Sequence, residues 1–167
     1  NLLSSLTPVE FAGFRDKLNP ASGFQSIQFR VIEFTYGIRE EFFLKFFDKE
    51  PAKKAELEEA RRQPSVYDEL IRALDKAGYS VPTSLLTRDF SQPWVESSEL
   101  VTVLKNVYEN PKDNYHWVLL FETLLDFDEK FATWRHVHML MVARTIGMKQ
   151  GTGGSSGYKF LASRAEY

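Results

Sequence analysis

Residues 115–147, YHWVLLFETLLDFDEKFATWRHVHMLMVARTIG, decide the fold. Leu120, Leu124, Phe127, Phe131, Trp134, His138, Met141 and Thr145 recur at spacings of three and four, which places them on one stripe of a long helix. His138 stands in the middle of that mainly apolar stripe. His136 lies two residues earlier, roughly 200° round the helix at about 100° per residue, and points the other way. The two imidazoles therefore cannot chelate one metal from the same regular helix. A single histidine on an apolar face has two readings. It is a core residue satisfied by a backbone carbonyl, or it is an axial haem ligand, which needs one imidazole nitrogen and large apolar walls.

Working outward, helical signals recur and strand signals do not. Thr7-Pro8-Val9-Glu10 carries an N-cap, a proline at the first helical position and a capping-box acid, opening a helix to about Leu18. Asn19-Pro20-Ala21-Ser22-Gly23 breaks it. A second helix is predicted over residues 25–34, with Gly37 a weak point before a further stretch at 40–47. Pro51–Arg62 is rich in Ala, Glu, Lys and Arg and reads as a solvated surface helix or arm. Pro64-Ser65 opens a helix through Lys76 that Gly78 ends, and residues 80–93 read as an irregular connection. Helix resumes at 96–108, stops at Asn110-Pro111, restarts near Asn114, and a last helix is predicted over 158–167. With no alternating pattern of useful length and no repeat, the fold class is all-α, in one domain.

Composition narrows the function classes. Charged residues at 26% and hydrophobic ones at 43% match an ordinary globular chain of 167 residues. A net charge of −2 gives no case for nucleic acid or an anionic membrane as partner. Neither a bilayer-spanning apolar run nor a signal-peptide pattern is present. The lack of cysteine excludes disulfides and thiolate metal sites and fits a cytoplasmic location, so metal chemistry falls to His, carboxylate or a cofactor. Fourteen phenylalanines suit either a large aromatic core or a pocket for a flat apolar ligand. The chain starts at Asn1 without an initiator Met, and a processed or truncated N-terminus is expected.

Two further features suggest a ligand. In the first helix Phe11, Phe14, Arg15 and Leu18 share a face, and arginine seldom occupies such a stripe without a partner for its charge. Snorkelling or an internal acid is one explanation. A ligand carboxylate taken by two parallel hydrogen bonds is the other, with the Phe11 ring against the ligand's apolar end. Residues 151–157, GTGGSSG, make either a flexible linker or a nest of backbone N–H groups around an anion, with Thr152 adding a hydroxyl. The segment is neither a Walker loop nor a dinucleotide fingerprint.

Three stretches together resemble the tryptophan 2,3-dioxygenase family: FAGFRDKLNPASGFQSIQFR at 11–30, WRHVHMLMVARTIG at 134–147 and GTGGSSGY at 151–158. The resemblance extends across nearly the whole chain and looks like bacterial members. It implies a helical haem-dioxygenase bundle that binds haem b, ferrous for activity, and inserts both atoms of O₂ across the indole C2–C3 bond of L-tryptophan to give N-formylkynurenine. It implies His138 as the proximal iron ligand with Trp134 beside the haem, Arg15 as the partner of the substrate carboxylate, and Phe11 as a ring against the indole. Ser22 matches a serine near the haem, and Thr152 a threonine at the substrate's amino-acid end. A cytoplasmic homotetramer goes with it. The family's distal histidine belongs to an upstream segment that nothing before Phe11 matches, and neither His116 nor His136 lies in its motif. The chain is accordingly expected to be a single haem-binding catalytic domain incomplete at both ends. Two other functions stay open: a related haem-dependent hydroxylase of another aromatic substrate, and a helical haem-binding or oligomerisation module without turnover.

Overall fold

A computed structural model describes residues 5, 7–18, 27–149 and 157–165, and every regular element among them is helical. In chain order these are α1 (Pro8–Leu18), α2 (Ile27–Thr35), a 3₁₀ helix (Glu41–Phe47), α3 (Pro51–Arg62), α4 (Val66–Lys76), α5 (Thr83–Leu86), α6 (Ser98–Glu109), α7 (Tyr115–Ile146) and α8 (Tyr158–Ala165). They gather into two compact units, one of Gln25–Val118 and one of Asn1–Phe24 with Leu119–Tyr167. No helix among the described residues is long and apolar enough to cross a membrane.

The Gln25–Val118 unit has a core of Phe34, Phe43, Phe47, Leu57, Ile71, Leu74, Val103 and Val107. The stretch predicted as helical over 40–47 is a 3₁₀ helix rather than an α-helix. It connects α2 and α3 and runs for seven residues, longer than the three or four usual for this tighter helix. Its Phe43 lies beneath the Arg30 guanidinium at 3.8 Å, and Arg30 in turn pairs with Glu33, so both buried charges are matched.

Pro51–Arg62 forms the predicted helix but is more than a solvated arm. Leu57 is fully buried, and Arg39, only 4% exposed, donates to the carbonyls of Ala60 (3.2 Å) and Gln63 (2.7 Å). The Ala60 carbonyl, which already accepts the Gln63 N–H at 3.3 Å, thus gains a second donor, and the Gln63 carbonyl lies at the C-cap of α3. Arg61 returns a bond from Nε to the Arg39 carbonyl at 3.4 Å. One buried leucine and a borrowed arginine dock the helix, and neither alters a composition dominated by charge.

The helix predicted to open at Pro64-Ser65 is α4, and Ser65 caps it. The Ser65 N–H and hydroxyl donate to Asp68 Oδ2 at 2.7 and 2.6 Å, and the Asp68 N–H donates back to Ser65 Oγ at 3.2 Å. Gly78 closes the helix at φ +91°, a conformation open to glycine at little cost. The connection that follows is irregular apart from α5, yet it is organised around Arg88. Arg88 Nε and Nη2 donate to the two oxygens of Asp68 at 2.7 and 3.3 Å, and Nη1 donates to the Gln92 carbonyl at 2.8 Å. Its guanidinium also lies 4.4 Å from the Trp94 ring centre. Against this cluster sits Gly37, with φ +87°; a Cβ there would approach Trp94 Cδ1 to 3.3 Å. The weak point seen in the sequence is thus a close-packed turn.

The Asn1–Phe24 and Leu119–Tyr167 unit brings together the two ends of the chain. Thr7 and Glu10 form the predicted capping box of α1: Thr7 N–H to Glu10 Oε2 is 2.8 Å, and Glu10 N–H to Thr7 Oγ is 3.3 Å. The long helix α7 has 32 residues, about 48 Å at 1.5 Å per residue. Its buried residues are Phe121 and Met139.

Candidate functional site

The periodicity that predicted a stripe on α7 is realised as an aromatic ladder. Phe127 stacks on Phe131 with ring centres 6.0 Å apart and planes 19° from parallel, Phe131 on Trp134 at 6.3 Å and 21°, and Trp134 on His138 at 5.1 Å and 5°. Spacings of four, three and four carry each side chain onto the next turn of the same face. Arg135 places its guanidinium 4.7 Å from the Phe131 ring centre. The stripe is less enclosed than an inward face would be. Leu124, Phe127, Phe131, His138, Met141 and Thr145 are half-buried, while Leu120 and Trp134 are exposed. Phe121 and Met139, roughly 100° away round the helix, take the buried position instead. A helix that also exposes Leu119, Leu125, Val137 and Leu140 has more apolar surface than its own unit covers.

His138 is half-buried and His136 exposed, as the helical spacing predicts. Burial lowers the His138 pKa below the ordinary histidine value, which favours the neutral ring that keeps a lone pair for a metal. Neither ring nitrogen is hydrogen-bonded to a described residue; the contact of the ring is the stack on Trp134. A core histidine held by a backbone carbonyl is therefore not what α7 presents among these residues. No three His, Asp or Glu side chains among the described residues come together as a metal cluster. One imidazole suits a metal that brings its other ligands with it, as haem iron does, and flat aromatic rings beside it suit the macrocycle. The residues present fit haem.

Phe11 is half-buried on α1, held by the Phe11 N–H to Thr7 carbonyl bond of 3.0 Å. Arg15 takes its predicted place on the same helix; its side chain lies outside the described part of the structure. Ser22 and Thr152 lie outside the described residues. Phe11, the backbone of Arg15, Trp134 and His138 belong to one compact unit although they are more than a hundred residues apart in sequence. Phe127 and Phe131 join them through the ladder, a role the sequence signalled only as part of the apolar stripe.

A helical unit offering one imidazole beside stacked aromatic rings has side chains that fit a haem. The model of the tryptophan 2,3-dioxygenase family matches residues 1–107 and 101–167, and the chain belongs to that family. Tryptophan 2,3-dioxygenase of Caulobacter vibrioides is 43% identical over 163 residues, 98% of this chain and 62% of that protein. The enzyme of Arthrobacter sp. strain FB24 is 42% identical, covering 99% of this chain and 58% of its own length. That of Myxococcus xanthus is 43% identical, covering 96% and 55%. The chain thus spans a little over half the length of these relatives.

Proposed function

We propose that this chain provides the proximal side and the substrate clamp of a haem-dependent dioxygenase that converts L-tryptophan to N-formylkynurenine. The observation that carries the reading is the His138 ring: half-buried, free of hydrogen bonds to the described residues, and stacked on Trp134. Membership of the family supports the reaction. Haem b iron, once bound, supplies the centre at which O₂ reacts with the indole.

The chain's own residues bind, orient and shield. His138 holds the iron through one imidazole nitrogen, with Trp134 and Ser22 beside the cofactor. Arg15 receives the tryptophan carboxylate as a planar, permanently charged donor pair, and Phe11 lies against the indole. Thr152, in the glycine-rich segment, takes the amino-acid end of the substrate. Clamping both ends fixes the C2–C3 edge relative to O₂, and exclusion of water matters more than proton transfer. A cytoplasmic homotetramer accompanies this reading.

The test is product analysis by mass spectrometry, with the full polypeptide loaded with haem and given L-tryptophan and O₂. Addition of both oxygen atoms of one O₂ supports the proposal. Addition of one oxygen indicates an aromatic hydroxylase, and haem retention with no turnover a binding module; either result overturns it.

A further inference from the structure

A histidine that ligates a metal usually has its other ring nitrogen hydrogen-bonded to a carboxylate, a carbonyl or water, which fixes the ring's rotation. His138 has no such bond to any described residue. Rotation about the imidazole's terminal torsion is intrinsically loose, since the preference there is broad and roughly two-fold. Among the described residues the ring is restrained by the Trp134 indole one turn earlier, 5.1 Å away and within 5° of parallel. Trp134 is itself braced by Phe131, and Phe131 by Phe127, with the Arg135 guanidinium over the Phe131 ring.

Trp134 is also 47% exposed, although tryptophan is a costly side chain to leave in water. Its rings stack on both His138 and Phe131.

We propose that Trp134 is the positioning residue of this site: by stacking on His138 it sets the plane in which the imidazole presents its nitrogen to iron. The role rests on the reading of His138 as the haem ligand. Stacking from an adjacent turn constrains the ring independently of any hydrogen bond to its second nitrogen. It orients the ring without drawing on its second nitrogen and without adding a charge beside the metal.

Two measurements on the full chain test this. In haem-free protein with labelled histidine, the His138 ring protons should carry an upfield ring-current shift; Trp134→Leu should abolish it and Trp134→Phe should retain a reduced part. In haem-loaded ferrous protein, resonance Raman spectroscopy should give one iron–imidazole stretching band. In the haem-bound fraction, Trp134→Leu should shift or split that band, and Trp134→Phe should restore it. An unmoved band in Trp134→Leu overturns the proposal, because another group must then fix the ring. Absence of the band in wild-type protein that has bound haem would instead defeat the assignment of His138 as the ligand, which separates the two failures.

Discussion

Replacing Asp68 with alanine should destabilise the Gln25–Val118 unit more than any surface substitution in it. Asp68 is 2% exposed and accepts four bonds: two from Ser65 at 2.7 and 2.6 Å and two from Arg88 at 2.7 and 3.3 Å. Removing the carboxylate leaves the Arg88 guanidinium, whose side chain is 13% exposed, without its counter-ion. Breaking a buried pair from one side costs about 3–5 kcal/mol, and losing the capping interaction adds about 1 kcal/mol. Arg88 keeps its bond to the Gln92 carbonyl and its stack on Trp94, which favours the lower end, about 4 kcal/mol in all. Urea unfolding followed by circular dichroism measures the loss. The double variant Asp68→Ala/Arg88→Met should recover a large part of it, since no unpaired charge remains. A loss below about 1 kcal/mol for Asp68→Ala, a size ordinary for an exposed ion pair, would refute the buried-pair account.

Three further outcomes follow. Burial tends to raise the Asp68 pKa, but hydrogen bonds from Arg88 and Ser65 hold it below the ordinary aspartate value. The unfolded chain therefore binds the proton more readily, so this contribution is complete above the unfolded-state pKa and is lost as pH falls through the lower folded one; Asp68→Asn should flatten the acid limb of stability against pH. Leu57→Ala, in a helix whose composition reads as solvated, should cost about 2–5 kcal/mol in the same urea assay because Leu57 is fully buried, whereas a near-neutral result would restore the surface-arm reading. Arg15→Leu in the haem-loaded full polypeptide should raise KM for L-tryptophan strongly while sparing haem content, and equal steady-state kinetics would remove Arg15 from the substrate site.

Most of the architecture was legible because its signals are local. The Thr7 and Ser65 caps, the Gly78 stop and the three-four spacing on α7 all act within a few residues and appear where the sequence places them. Interactions across long sequence separations were not legible. Arg39 reaches Gln63 over 24 residues and Arg88 reaches Asp68 over 20, and no local pattern marks such partners. The 3₁₀ form of Glu41–Phe47 was hidden because one short apolar run is compatible with either helix. At the site, spacing placed His138 and Trp134 on one stripe and turned His136 away, but it did not show how open that stripe is. Exposure depends on which surfaces pack against α7, and α7 has apolar residues on several sides.

The most direct test of the central claim is the optical spectrum of the haem-reconstituted protein and its His138→Ala and His136→Ala variants. Wild type and His136→Ala should show the same Soret band with equal haem content. His138→Ala should lose the band, and added free imidazole should restore it in part. A His138→Ala spectrum indistinguishable from wild type would contradict the assignment of His138 as the iron ligand.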